Sequence, residues 1–228
     1  MNGSALEDYG LDGSGLRFYP AYLDRRQQEH LLGDIRGVFV AAPLYTPRMP
    51  KSGRPFTVRM SNCGPLGWTS DTSGYRYQAS HPVTGLPWPP LPEILSVLWR
   101  NLAHYPHAPQ ACLINYYAPG AKMGLHQDRD EEDLAAPVVS LSIGDACLFR
   151  IGGVTRRSST QSFRLHSGDV VVLGGDARLA FHGVDCIYPG TSTLLPEGGR
   201  INLTLRRVTD PAADRQRPMP VTTEALHG

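Results

Sequence analysis

The chain has 228 residues, 41% of them hydrophobic and 19% charged, with a formal net charge of +1. That length fits one enzyme-sized domain whose core needs no disulfide or structural metal to fold. The near-zero net charge excludes a bulk polycation that would hold nucleic acid by charge alone.

Residues 1–16 are acidic and rich in Gly and Ser, and they read as a flexible N-terminus without the apolar stretch of a signal peptide. In residues 20–40, Leu23, Leu31, Leu32 and Ile35 are spaced for one buried helix face. Segment 41–90 mixes breakers with Phe56, Trp68, Tyr75, Tyr77 and Trp88, which predicts short strands joined by long loops. Residues 91–105 return to helical spacing, with a proline near the start. From Cys112 onward the pattern turns to strands: 112–117, 138–143, 146–151, 162–165, 169–175, 178–183 and 200–206, separated by Gly, Asp or Pro turns. Such a series without intervening helices predicts a β-sandwich or barrel. The expected organisation is therefore a single domain over 17–207. Its N-terminal part (17–111) supplies helices and a loop-rich lid, its core spans 112–207, and a tail covers 208–228.

Four separated cysteines (Cys63, Cys112, Cys147, Cys186) without a C-x-x-C pair argue against a zinc ribbon or disulfide scaffold. No apolar run reaches the roughly 18 residues of a membrane span. A cytoplasmic, soluble monomer is the expectation. Among 22 basic residues only Lys51 and Lys122 are lysine. Coding bias explains that, and so does a need for guanidinium forks that grip carboxylates or phosphates; composition does not separate the two.

The first chemical signal is His126-x-Asp128. On a strand, residues two apart share a face, so an imidazole and a carboxylate could converge on one ion. His182, in the strand-like segment 178–183, is the natural third ligand. Two histidines and a carboxylate make the facial triad of non-heme Fe(II) oxygenases, with coordination positions left open for substrates. His30, His81, His104, His107, His166 and His227 are expected to take no part. Alone, H-x-D is a short pattern that chance often supplies.

The last strand alternates strictly, with Arg200, Asn202, Thr204 and Arg206 on one face and Ile201, Leu203 and Leu205 on the other. On a surface strand this is ordinary polar-out alternation. In a barrel with a polar interior the same face would meet a ligand, and its arginines would suit a dicarboxylate such as 2-oxoglutarate.

Four blocks, NCGPLGWTS (62–70), INYYAPGAKMGLHQDRDEEDLAAPVVSLSIG (114–144), GDVVVLGGDARLAFHGV (168–184) and RINLTLR (200–206), resemble the signature blocks of AlkB-type nucleic-acid dealkylases, in the family's order. The resemblance covers most of residues 16–207. It implies a mainly β fold with flanking helices, a double-stranded β-helix (jelly-roll) core under an N-terminal nucleotide-recognition lid. It further implies Fe(II) on His126, Asp128 and His182, with 2-oxoglutarate and dioxygen as co-substrates. Arg200, Asn202 and Tyr117 would take the distal carboxylate of 2-oxoglutarate, while Asn115 and Arg206 would take the carboxylate nearer the metal. The activity implied is oxidative demethylation of bases such as 1-methyladenine and 3-methylcytosine, releasing formaldehyde, succinate and carbon dioxide. A flipped base would lie between Trp68 and His126, with Asp130 meeting its exocyclic amine. Met60, Tyr75, Tyr77 and Arg156 would line the lid and meet substrate. The partner implied is alkylated single-stranded DNA, with duplex DNA and RNA as further candidates. Tyr116, Leu173 and Arg129 depart from the family's pattern, where arginine, tryptophan and lysine are expected. Rival readings keep the cofactors but act on RNA or protein, or bind 2-oxoglutarate as a non-catalytic sensor.

Overall fold

The computed structural model describes residues 15–214; of the expected loose N-terminus (1–16) and tail (208–228), residues 1–14 and 215–228 lie outside the described residues. Leu16, by contrast, is a buried strand residue and Val208 and Thr209 are buried, so the ordered domain runs past both expected bounds. The strands are β1 (Leu16–Tyr19), β2 (Arg59–Cys63), β3 (Gly67–Asp71), β4 (Gly74–Gln78), β5 (Ala111–Tyr117), β6 (Met123–His126), β7 (Val138–Gly144), β8 (Ala146–Gly152), β9 (Thr160–Leu165), β10 (Val170–Leu173), β11 (His182–Tyr188) and β12 (Arg200–Arg206). The helices are α1 (Arg25–Ala41), α2 (Glu93–Leu102) and the single turn α3 (Pro211–Asp214). Among the described residues no helix is long and apolar enough to cross a membrane.

Two antiparallel sheets form the expected jelly-roll. The larger runs β1-β10-β7-β12-β5-β2, the smaller β6-β11-β8-β9, and β3-β4 make a separate hairpin. The larger sheet is buried on both faces. Val139, Leu141, Ile143, Val170, Val172, Ile201, Leu203 and Leu205 pack outward against Leu31, Ile35, Leu95 and Trp99 of the two long helices. Val138, Val171, Leu173, Leu113 and Tyr117 point inward, toward Phe149, Ile151, Phe163 and Leu165 of the smaller sheet. The inner face is thus apolar in part, while Ser140, Arg200, Asn202 and Thr204 give it a polar part, with Ser142 behind them bonded to Arg200.

Helix α1 begins five residues later than its apolar spacing indicates, because Asp24 caps it. The Asp24 carboxylate accepts from the Gln27 amide N–H at 2.8 Å, and the Gln27 side chain returns the bond at 2.9 Å. Leu31, Leu32 and Ile35 are buried on α1, as their spacing requires, whereas Leu23, also buried, precedes the cap and lies outside the helix. Helix α2 starts behind Pro92 and buries Leu95, Leu98, Trp99 and Leu102. In segment 178–183 the expected strand is corrected. Residues 178–181 follow a 3-10 turn at Gly175–Ala177, and strand β11 starts only at His182.

Gly183 permits the next step. A Cβ there would sit 2.6 Å from the Met123 carbonyl oxygen, so only glycine lets β11 lie this close to β6. The register shifts between His182 and Val184, a bulge beside the first residue of β11. In the lid hairpin, a Cβ on Gly67 would meet the Trp88 ring at 2.5 Å, which seats β3 on that indole.

Candidate metal centre and nucleic-acid interface

Strand pairing sets His182 opposite His126, each at the end of its strand. Asp128 lies two residues past β6, in a segment with no strand pairing. The shared-face argument for His126-x-Asp128 is therefore corrected: the two ligands converge because the chain leaves the sheet after His126. Ligand atoms of His126, Asp128 and His182 all lie within 4.8 Å of one another. The Nε2 atoms of His126 and His182 stand 3.8 and 3.9 Å from the Asp128 carboxylate. Each imidazole faces a backbone carbonyl through Nδ1, His126 with Gly124 at 2.9 Å and His182 with Ala180 at 3.0 Å. Donation from Nδ1–H leaves both Nε2 lone pairs pointing inward, the tautomer a metal ligand requires.

Electrostatics favour the ligating forms. Burial pushes the His182 imidazole down to about 4, helped by the charge of His126, so it stays neutral near neutrality. Burial alone would raise the Asp128 carboxyl, but Arg206 and then the two histidines hold it well below the usual carboxylate range. Two imidazole nitrogens and one carboxylate oxygen around a common point fit a divalent iron.

These groups open into a cavity of about 800 Å³ between the sheets. Arg200 is 1% exposed on its wall; its Nη2 donates to Ser142 Oγ at 2.7 Å, while Nε and Nη1 have no partner. A buried guanidinium with two unpartnered nitrogens costs stability unless an anion meets it. The carboxylate of a dicarboxylate fits that need. Asn115 Oδ1 also lacks a partner; it is an acceptor, so only the amide nitrogen of Asn115 could meet a carboxylate. Asn202 is already satisfied, donating to Ser140 Oγ at 2.8 Å and accepting from Thr204 at 2.9 Å. Tyr117 lines the same wall, its phenol pushed up by burial. The polar face of β12 therefore points inward, and the surface-strand alternative is excluded.

At the mouth, Trp68 Nε1 donates to Asp130 Oδ2 at 2.8 Å. The Tyr75 ring stacks on Trp68, with centroids 5.4 Å apart and planes 24° apart, and Phe56 meets Trp68 edge-on. Met60, Tyr75, Asp130 and Arg156 line the cavity with Trp68 and His126; the Arg156 guanidinium lies 5.0 Å over the Phe181 ring. Tyr77 does not line it. Its hydroxyl turns inward, donating to Glu131 Oε1 and accepting from Arg206 Nη1 at 3.3 Å. Of the departures, Leu173 and Arg129 line the cavity, whereas Tyr116 packs away from it against the helix-side core.

Sequence reasoning missed three neighbours. Glu131, inside an acidic run, is buried and takes Arg178 at 3.0 Å, Arg206 at 3.4 Å and the Tyr77 hydroxyl. Arg178 is 4% exposed, and Gln127 sits between the two metal-facing residues. A buried charge inside a charged run leaves no local mark in sequence.

The model of the 2OG-Fe(II) oxygenase superfamily matches residues 15–206. The chain is 52% identical over 193 residues to an alpha-ketoglutarate-dependent dioxygenase AlkB homolog of Caulobacter vibrioides, covering 85% of this chain and 87% of the relative. It is 43% identical over 183 residues to alpha-ketoglutarate-dependent dioxygenase AlkB of Escherichia coli K12, covering 78% and 84%. The solved structure of OsALKBH1 superposes with a TM-score of 0.71 at 30% identity, covering 85% of this chain and 97% of that one.

Proposed function

Because the chain belongs to the 2OG-Fe(II) oxygenases of the AlkB type, we propose that it demethylates alkylated bases in DNA, with single-stranded DNA as the preferred partner. The observation that carries this reading is the placement of Trp68 and His126 on one cavity that also holds the His126–Asp128–His182 cluster and the unpaired guanidinium of Arg200. Four unpaired cysteines fit a cytoplasmic setting.

Bound iron, with 2-oxoglutarate and dioxygen, supplies an oxidation that converts an N-methyl group to formaldehyde while 2-oxoglutarate becomes succinate and carbon dioxide. The protein's part is positioning. His126, Asp128 and His182 hold the metal. Arg200, with Ser142 and Tyr117 beside it, receives the distal carboxylate deep in the cavity. Arg206 and Asn115 serve the carboxylate nearer the metal. Trp68, fixed by Asp130, offers a flat face to a base taken out of the stack. A base methylated at a ring nitrogen is cationic in 1-methyladenine and 3-methylcytosine, and the Asp130 carboxylate at the mouth complements that charge. Arg156, Arg129 and Lys51 line the same opening and suit the flanking phosphates.

The test is anaerobic loading with Fe(II) and 2-oxoglutarate, then air and a short oligonucleotide carrying 1-methyladenine. Mass spectrometry follows the methyl group, with His126→Ala as control. Loss of the methyl in the parent alone supports the reading. Succinate formation with the methyl retained would move the substrate elsewhere; no turnover of 2-oxoglutarate with iron bound would leave only a sensing role.

A further inference from the structure

The two segments that carry the metal-facing residues are both irregular where they matter. Asp128 lies beyond the end of β6, and residues 178–181 precede the start of β11. Strand pairing fixes His182 against His126, but no sheet hydrogen bond fixes Asp128. Backbone bonds tie Phe181 to Gly152 at 2.8 Å and to Gly153 at 3.0 Å, but between the Asp128 segment and the Arg178 segment side chains supply the bonds, in both directions. Gln127 Nε2 donates to the Leu179 carbonyl at 2.6 Å and to the Val154 carbonyl at 3.2 Å. In return, Arg178 Nη1 donates to the Asp128 carbonyl at 2.5 Å, Nη2 to Glu131 at 3.0 Å and Nε to the Ala136 carbonyl at 2.7 Å.

The bonds cross. The residue before Asp128 holds the residue after Arg178, and Arg178 holds Asp128 itself. Gln127 also reaches Val154, in the loop between β8 and β9 that carries Arg156. Carbonyl groups in irregular backbone need partners when they lie in or near a core, and Gln and Arg satisfy them while fixing the distance between the segments.

We propose that Gln127 and Arg178 form a reciprocal clasp that sets the separation between the His126–Asp128 pair and His182, and that Gln127 also holds the Arg156 loop over the cavity. Both are positioning residues: neither needs to touch the metal. This rests on the reading of the three residues as the metal site. Amide and guanidinium are used differently here. Arg178 is 4% exposed with all three nitrogens engaged, which makes it part of the buried frame. Gln127 is half-buried at the cavity edge, so it can be changed without removing the frame.

The test uses the full chain, metal-free and anaerobic, titrated with Co(II) alone and followed by its visible absorption. Gln127→Met keeps the length and loses both donors; Gln127→Glu keeps the shape and sets a carboxylate against two carbonyls. Both are expected to weaken Co(II) binding about tenfold or more and to alter the absorption band, while the metal-free unfolding midpoint stays near that of the parent. In the iron-loaded enzyme, Gln127→Met is expected to raise the KM for the methylated oligonucleotide and leave the KM for 2-oxoglutarate unchanged. Arg178→Met is expected to show the same Co(II) defect if it folds; if it does not, the Gln127 variants decide. Parent-like Co(II) affinity and spectrum in both Gln127 variants would overturn the clasp. A parent protein that binds no Co(II) would overturn the metal-site reading instead, so the two failures are distinct.

Discussion

Arg206 donates to both carboxylate oxygens of Asp128, from Nη2 to Oδ1 at 2.8 Å and from Nε to Oδ2 at 3.2 Å. Both residues are buried, and the same guanidinium approaches Glu131 and the Tyr77 hydroxyl. Arg206 and Arg178 together therefore balance two buried carboxylates, Asp128 and Glu131, beside the cavity in which Arg200, among the described residues, makes no ion pair.

Removing Arg206 strips a counter-charge from a buried pair, the costly half of such an arrangement. Arg206→Met is expected to lose roughly 3–5 kcal/mol of stability in the metal-free protein. Denaturant unfolding measures it, and a loss under about 1 kcal/mol would show that solvent or Arg178 replaces the missing charge. Arg206→Lys should recover only part, because an ammonium cannot make the two-pronged contact.

Arg200 should behave in the opposite sense. Its Nε and Nη1 are buried without partners, so Arg200→Met is expected to leave the metal-free protein as stable as the parent or more so. The same change is expected to weaken 2-oxoglutarate binding by ~100-fold, the scale of a buried charge-assisted contact. Thermal unfolding with and without 2-oxoglutarate reads both effects at once. A variant still stabilised by 2-oxoglutarate to the parent's extent would show that the distal carboxylate lies elsewhere.

Acid should destabilise the metal-free protein through His182. Its imidazole is shifted from 6.5 to about 4, first by burial and second by His126. The unfolded chain then binds a proton that the folded chain refuses, so stability falls as pH drops from about 6.5 toward 4. The loss attributable to this group is on the order of 3 kcal/mol. The readout is the difference between parent and His182→Asn in unfolding free energy across that window, where the parent should fall more steeply. Parallel profiles would count against a neutral, buried His182. Asp128, shifted down, adds a loss only at still lower pH.

Asp130 should affect substrate and not co-substrate. Its carboxylate fixes the Trp68 indole N–H at 2.8 Å, at an exposed position. Asp130→Ala is expected to raise the KM for the methylated oligonucleotide roughly tenfold, the value of one charge-assisted hydrogen bond, with the KM for 2-oxoglutarate unchanged. Equal changes in both would place Asp130 in the frame of the metal site.

The sequence by itself determined the metal-facing trio, the helix faces of α1 and α2, most core strands and the alternation of β12, because these depend on residue type and short-range period. His126, Asp128 and His182 were legible as chemistry, and Ile201, Leu203 and Leu205 as one apolar face. Which way that face turns was decided only when the two long helices covered it and left Arg200, Asn202, Thr204 and Arg206 facing the cavity. The tertiary structure also decided that Asp128 leaves the strand, that Tyr77 turns from the lid to Glu131, and that Glu131 and Asp133, in an acidic run, are buried. These depend on partners far along the chain, such as Arg178 for Asp128 and Arg206 for Tyr77. Local composition carries no trace of such a partner, since a charge is indifferent to burial until a countercharge from another strand makes burial affordable.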